Sequence, residues 1–571
     1  LPESAPPLFR KINQCPKKRV CALEKVESPV SSAPASRAHF IAVCVILVVA
    51  GFVRYAALDQ YPLPIHQDEL SDIYDGYSLA TTGADRWGEP WPILFRGMGP
   101  GDYHPGLYAY CAAVSIKLFG FSVWAGRLPA AIAGILTVLL VYLVARRLLS
   151  PPASLIAVLL VAFSPIQILY SRQAHTGVCM MPLAVILILY LMIRLLESLR
   201  SAMTTRPALV WAVACGITVG LSTNAYAAMR LVAPLLAITI VVAVFTSEGL
   251  LKNQWKKVAA IVCIFTIATT VGSWPQLYAA MNQPEHFFAR SSTTAYSLSN
   301  GFAWWAKTLA RHLMRELDPK YLFLSFGEYR ALSIARLSIA ELPFLYVGLF
   351  TSIVLAVCKR NIKLALLPVT VVICLLPSMV TRGGPNPMRS SGVWALYPIA
   401  SAIGIGITAQ LAATILTPLG RSLCRQIATV CCCAAIAGIG IFNTHRYLAN
   451  KPLHGPASQH QLVVVGQSLA RADIDEYPRV YVDVKGMFGY LYVAAFSGMP
   501  PARFQSAART GHLRGLGWEE FDTFGRFHFA STNQAIADRR NAKTNENWLI
   551  VTSDGSNVQT RELPPLQVAQ N

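Results

Sequence analysis

The chain has 571 residues, 54% of them hydrophobic and only 14% charged, with 49 Lys and Arg against 29 Asp and Glu for a formal net charge of +20. Soluble globular domains carry about 25% charged residues, and a mean hydropathy of +0.45 leaves too little polar surface to hold this chain in water. A soluble fold is excluded, and so is a nucleic-acid binder, because the basic residues fall in small groups between long uncharged runs.

Residues 1–37, rich in Pro, Ser, Lys and Arg, read as a disordered basic cytoplasmic tail. Reading between successive formal charges then gives eleven apolar stretches: 38–53, 128–145, 148–171, 173–193, 207–229, 231–247, 258–284, 342–358, 364–381, 390–420 and 426–445. Each is near or above the roughly 17–25 residues that cross a hydrocarbon core. A twelfth candidate, 103–116, is shorter and contains His104, Pro105 and Gly106, and it reads as interfacial or re-entrant. With the N-terminus inside, the inner connectors hold thirteen Lys and Arg, whereas the short outer ones hold only Arg172, Arg230, Arg382 and Arg389. That asymmetry is what the positive-inside rule requires.

Two outer loops, 59–127 and 285–341, are far longer than the connectors around them, and loops of such length are usually functional or disordered. The first is acidic; the second is basic, with Trp304 and Trp305 suited to the lipid interface. After the last span, residues 448–571 turn polar. A helical pattern at 459–472 and β-rich runs at 479–484, 525–530 and 547–552 predict a small extracytoplasmic α/β domain without a Gly-rich phosphate loop. The expected architecture is an all-α polytopic membrane protein of about 11 transmembrane helices over 38–447, followed by that domain.

The chemistry-bearing residues collect on the outer side. Asp68, beside Glu69, could take the proton of an attacking hydroxyl, although an arbitrary acidic pair is more often a solvated loop. Arg172 and Arg230 stand at membrane entries, where ionisable groups are costly and usually face the protein interior, with snorkelling to the interface as the plainer alternative. Together with His104, Arg290 and the Arg311-His312 pair they could form a cationic site for a phosphate leaving group. Tyr77, Tyr103, His175 and Tyr226 are candidate walls of the same pocket. The constellation points to group transfer from a lipid phosphate to a hydroxyl.

At these residues the sequence resembles the GT-C superfamily of polyprenyl-phosphate-sugar glycosyltransferases, in the branch of protein O-mannosyltransferases and the lipid A aminoarabinose transferase. The resemblance rests on DELSDIYDGYSLATTG, on YHPGLYAYCAAVSIKLFGFSVWAGRLPAAIAGILTVLLVYLVARRLL and on FSPIQILYSRQAHTG, continuing weakly through AYAAMRL and QPEHFFARSS. It implies a GT-C fold with interfacial helices in the first outer loop, Asp68 as catalytic base beside Glu69, and His104, Arg172 and Arg290 near the donor phosphate. It also implies inversion at the anomeric carbon. Three positions depart from the pattern: no acid follows Ser171-Arg172, Tyr103-His104 stands where a relative has Glu-Lys, and a double proline is reduced to Pro105-Gly106. The resemblance therefore names neither the sugar nor a metal requirement, and a divalent metal ion is the one cofactor left open. The implied partners are a polyprenyl-phosphate-sugar donor and a hydroxyl acceptor on a protein, glycolipid or polysaccharide. The implied location is a bacterial inner membrane with the C-terminus outside.

Two other classes compete. A transporter or flippase of a lipid-linked glycan predicts internal repeats and helices broken at mid-membrane, and no repeat is evident. A polytopic scaffold presenting the C-terminal domain leaves the acidic pair and the outer cations without a role.

Overall fold

The computed structural model describes residues 36–564 except 64, 176, 201–205, 247–249, 298, 300, 325–334, 359–360, 417–420, 450–456, 485, 515–516, 543 and 555–556. The tail expected over 1–37 lies outside the described residues apart from its last two.

The membrane part begins with α1 (Arg37–Tyr55), after which the chain forms α2 (Gln67–Thr82), a two-stranded hairpin of β1 (Leu94–Arg96) and β2 (Tyr103–Pro105), and α3 (Leu107–Phe119). Then come α4 (Val123–Leu148), α5 (Pro151–Ala162), α6 (Pro165–Tyr170), α7 (Met180–Arg200), α8 (Arg206–Ser222), α9 (Met229–Thr246) and α10 (Leu250–Asn282). The second long loop folds as α11 (Pro284–Thr294) and α12 (Phe302–Glu316), and α13 (Leu342–Cys358), α14 (Ile362–Met379), α15 (Tyr397–Leu416) and α16 (Arg421–Ala449) follow. Among the described residues, eight helical segments are long and apolar enough to cross a membrane by length and composition, and four shorter apolar helices accompany them. The eleven stretches expected from the sequence all fall on helices, but 148–171, 207–229 and 426–445 correspond to shorter apolar ones.

Two departures matter for the site. The stretch 148–171 is broken into α5 and α6, with Pro165 opening the second helix, because a proline without an N–H can begin a helix but not continue one. The stretch expected from 173 is helical only from Met180, and the chain before it turns through Gln173, Ala174 and His175. The demotion of 103–116 agrees with α3, whose 13 residues rise about 20 Å, short of the roughly 30 Å hydrocarbon core.

Helix α2 is the element on which the first outer loop is built. His66 caps it, its Nδ1 accepting from the Asp68 amide at 3.2 Å, and the carboxylates of Asp68 and Glu69 lie in the first turn, where the helix dipole favours them. Gly83, at φ +74, ends it in the left-handed conformation that glycine adopts without strain. Glu69 is fully buried and grips Arg127 of α4 with both oxygens, Oε1 from Nε at 2.6 Å and Oε2 from Nη2 at 3.0 Å, while Oε1 also accepts the Ala174 amide at 2.8 Å. Arg127 further donates to the Leu58 and Pro62 carbonyls, both at 3.0 Å. One ion pair thus fixes α2, α4, the end of the α1 connection and the turn after α6. Gly76 lets α2 approach α3, since a Cβ there would meet the Ala112 methyl at 2.8 Å.

The C-terminal residues form α17 (Ala457–Ser468), β3 (Val480–Asp483), α18 (Gly489–Phe496), α19 (Pro501–Ser506), β4 (Arg509–Arg514), β5 (Trp518–Phe524), β6 (Phe527–His528), α20 (Thr532–Asn541), β7 (Trp548–Ser553) and β8 (Val558–Leu563). The six strands run in the order β4-β5-β6-β3-β7-β8, with β6, β3 and β7 parallel and the flanking strands antiparallel. This α/β unit docks onto the first loop. Tyr492 donates to the Ile65 carbonyl at 2.9 Å, Tyr74 to the Met499 carbonyl at 2.8 Å, and Gln505 to Ser78, Thr82 and the Asp85 carbonyl. A single apolar cluster runs from Ile73, Tyr74 and Met98 into Tyr490, Phe504 and Phe521.

Removing Arg127 (Arg127→Ala) leaves a buried, unpaired Glu69 carboxylate, and a loss of roughly 3–5 kcal/mol is expected, read as earlier unfolding in a thermal melt of the detergent-solubilised protein. Tyr492→Phe deletes one buried hydrogen bond worth about 1 kcal/mol. Hydrogen exchange should then quicken over residues 65–70 while 480–483 stays protected; equal protection in both would show that the contact does not hold the start of α2.

Candidate active site

The polar groups of the first loop meet the chain after α6 and the helix α11. Asp68 and Asp72 lie four residues apart on α2 and therefore share a face. The Asp68 carboxylate stands 3.5 Å from His175 Nε2 and 3.9 Å from His66 Nδ1, and the two imidazole rings are 4.9 Å apart. Burial would raise the Asp68 carboxyl, but His66, His175, Arg290 and His104 outweigh it and hold it below the ordinary carboxylate range. His175 is buried and pushed down to about 4, so its ring is neutral at neutral pH.

A second layer lies against the hairpin. The register Phe95↔His104 turns His104 inward, where Nε2 meets Asp72 Oδ1 at 3.0 Å with both side chains almost fully buried. Burial lowers the His104 imidazole, but the Asp72 hydrogen bond and charge overcome it and raise the imidazole; burial raises the Asp72 carboxyl. Helix α11 closes over this layer. Arg290 Nη1 sits 3.0 Å from Asp102 Oδ1, and the Tyr103 ring stacks on His286 with centroids 4.0 Å apart and planes 11° from parallel. Asp68 and Tyr226 are further electrostatic neighbours of Arg290.

The structure thus brings together Asp68, His104, His175, Arg290, Tyr226 and, at the rim, Tyr103. The six other candidates have their partners or positions elsewhere. Glu69 faces the Arg127 clamp and has both oxygens engaged, so it positions α2 instead of meeting a substrate. Arg172 is buried and donates to the carbonyls of Val53, Ala57 and Tyr61 at 2.7, 2.9 and 3.2 Å, which ties the last turn of α1 to the loop that follows it. Arg230 bonds Gln276 and the Phe287 carbonyl and lies over the Phe287 ring, so it anchors α11. Tyr77 stacks on Phe121 at 4.3 Å; nine residues from Asp68, it points to the opposite side of α2. Arg311 is exposed on α12, and His312 turns to Tyr296 at 3.3 Å.

Sequence reasoning gave no site role to His66, Asp72 or Asp102. The i, i+4 spacing of Asp68 and Asp72 was a readable signal for one of them. His66 caps α2 through the Asp68 amide two residues on, whereas the Arg290 partner of Asp102 lies on a distant segment.

His66, Asp68 and His175 each offer one ligand atom within 4.8 Å of the others. Two imidazoles and a carboxylate are a donor set that divalent transition metals accept, and the neutral His175 ring is the ligating form.

Residues 103–274 match the family model described as dolichyl-phosphate-mannose-protein mannosyltransferase. No curated protein sequence matches the chain. Among solved structures, ArnT from Cupriavidus metallidurans bound to undecaprenyl phosphate is similar at a TM-score of 0.58 and 15% identity, covering 91% of this chain and 94% of that one. Its apo form gives 0.55 and 14%, covering 90% and 94%. The archaeal oligosaccharyltransferase AglB from Archaeoglobus fulgidus, in complex with an inhibitory peptide and a dolichol-phosphate, gives 0.50 and 14% over 81% of this chain, which spans 64% of AglB's length. The chain thus carries eight helical segments long and apolar enough to cross a membrane and a small C-terminal sheet, a fold similar to that of these structures, and its residues 103–274 match the mannosyltransferase family model.

Proposed function

We propose that the chain transfers a monosaccharide from a polyprenyl-phosphate carrier to a hydroxyl acceptor, at the face of the membrane that holds the first and second long loops. The observation that carries this reading is the convergence of Asp68 with His66, His175, His104 and Arg290 beneath α11. The undecaprenyl phosphate and dolichol-phosphate found in the similar structures support a lipid-phosphate donor. The positive-inside count supports an N-terminus in the cytoplasm and a site facing away from it, in keeping with a bacterial inner membrane. Residues 448–571 would then be an extracytoplasmic domain that braces α2.

In this mechanism the acceptor oxygen forms a bond to the anomeric carbon as the bond from that carbon to the phosphate oxygen breaks, with inversion. The leaving lipid phosphate keeps the electron pair. Asp68 holds the acceptor hydroxyl and receives its proton. Its lowered pKa makes it a weak base, which suits a transition state with oxocarbenium character, where the attacking hydroxyl becomes acidic late. Arg290, and His104, whose protonated form the Asp72 carboxylate favours, answer the charge growing on the phosphate. A divalent ion held by His66, Asp68 and His175 would supply positive charge on the acceptor side and make the attacking hydroxyl more acidic.

Asp68→Asn in proteoliposomes given labelled lipid-phosphate sugar should cut transfer by about 100-fold or more with an unchanged melting temperature; undiminished turnover removes Asp68 from the reaction. His175→Ala should abolish any rise in melting temperature that Mn²⁺ or Zn²⁺ produces in the wild type, whereas an equal rise in both would put the ion elsewhere. A product in which the sugar is covalently attached to the acceptor distinguishes this enzyme from a flippase, which would deliver the lipid unchanged.

A further inference from the structure

Glu316, the last residue of α12, is a fully buried carboxylate that the mechanism above does not use. Its Oε2 accepts from Ser390 Oγ at 3.4 Å, and the Ser378 hydroxyl and the Asn386 amide lie beside the same carboxylate. All three neighbours belong to the end of α14 or to the loop that joins it to α15. They are also bonded to one another: the Asn386 amide donates to Ser378 Oγ at 2.7 Å, and Ser390 Oγ donates to the Asn386 carbonyl at 3.0 Å. A buried carboxylate is costly unless its surroundings hydrogen-bond it; here the groups that do so are those that shape the loop. His312, four residues earlier on the same face of α12, packs against the same segment. Its Nε2 meets the Tyr296 hydroxyl at 3.3 Å, and a Cβ at Gly384 would stand 2.7 Å from its Nδ1.

The loop runs from α11 to the reaction centre. At its start an antiparallel bridge pairs Thr381 with Ala295, and the Arg382 amide donates to the Thr294 carbonyl at 2.8 Å. Further on, Asn386 Oδ1 accepts the amides of Met388 and Arg389 at 3.0 and 3.2 Å, and Trp394 Nε1 donates to the Pro387 carbonyl at 3.0 Å. Met388 lines a narrow crevice with Tyr170, Gln173, His175 and Val178, and His175 stands 3.5 Å from the Asp68 carboxylate. An unbroken series of contacts therefore leads from Glu316 through Ser390, Asn386 and Met388 to His175. Helix α11 has anchors of its own, from Arg230 to the Phe287 carbonyl, from Arg290 to Asp102 and in the stack of His286 on Tyr103.

We propose that Glu316 is a positioning residue of the transfer reaction: it holds the α14–α15 loop, and through Met388 it keeps His175 in place beside Asp68. The proposal rests on the transferase reading above and adds to it a residue that acts from outside the reaction centre. Loss of Glu316 loosens the wall behind His175, whereas α11 stays where its own anchors hold it. The effect therefore falls on turnover and not on the apparent affinity for the donor.

The test uses the full-length protein in proteoliposomes given labelled lipid-phosphate sugar, with hydrogen exchange measured on the same variants. Glu316→Ala should lower kcat by about tenfold or more and leave KM for the donor within about twofold of wild type. Amides 386–390 should exchange faster in it while 286–294 keep the wild-type rate. Glu316→Gln keeps an oxygen that accepts from Ser390 and should restore most of the turnover. Ser390→Ala removes the donor of that contact; it should lower kcat by itself and add little to Glu316→Ala, because both changes break one interaction. If Glu316→Ala does not fold, Ser390→Ala carries the test alone. Unchanged kcat in the folded alanine variants, a Gln variant as slow as the Ala variant, or a raised donor KM with kcat intact overturns the proposal. A wild-type protein that transfers no sugar sinks the transferase reading alone, since faster exchange at 386–390 in Glu316→Ala still supports the anchor.

Discussion

The buried pair of Glu69 and Arg127 is the constraint on which the rest of the outer face depends. Two charges removed from water need geometry good enough to offset their desolvation. Here the carboxylate receives two guanidinium bonds and the Ala174 amide, and the guanidinium also bonds two carbonyls. Because Ala174 precedes His175 and Glu69 follows Asp68, the pair sets the separation of Asp68 and His175. Asp68 needs no direct anchor: its neighbour in sequence has been locked, and the helix does the aiming.

The same principle explains why so many arginines lie below the pocket and not in it. The chain turns at the end of α1 and between α5 and α6, leaving helix-terminal carbonyls where water is scarce, and unsatisfied backbone groups there are costly. Arg172 reaches the Val53 and Ala57 carbonyls at the end of α1, and Arg54 reaches the Ala162 and Val161 carbonyls that end α5. The two helix ends are tied to each other by arginines that the other segment supplies. Guanidiniums suit this task because their charge persists and their donors fan out in a plane. Arg290 of α11 and His104 of the hairpin are engaged differently, each beside a carboxylate, Asp102 and Asp72.

The C-terminal unit belongs to this frame. Its hydrogen bonds reach α2 at both ends, through Ile65 just before the helix and through Ser78, Thr82 and Asp85 at its finish, and Glu519 of β5 donates its amide to the Met98 carbonyl at 2.8 Å, beside the hairpin turn. Three of its strands were visible as apolar runs because β3, β6 and β7 lie at the centre of the sheet. Strands β4 and β8 were not, since most of their side chains are exposed and their sequences read as polar connectors.

Amino-acid order alone determined the class of the molecule. Long uncharged runs demand lipid, the asymmetry of Lys and Arg proposes an orientation, and the acidic start of α2 marks the loop where chemistry is possible, because these are properties of composition and of neighbours a few residues apart. Which charges are chemical and which are structural was decided only by tertiary packing. Asp68 and Glu69 are adjacent and of one type, yet a 100° step around the helix sends one toward two histidines and buries the other against Arg127. Arg172 looked equally suited to a phosphate as Arg290, and its fate followed from where α1 happens to end, a fact that no local pattern encodes.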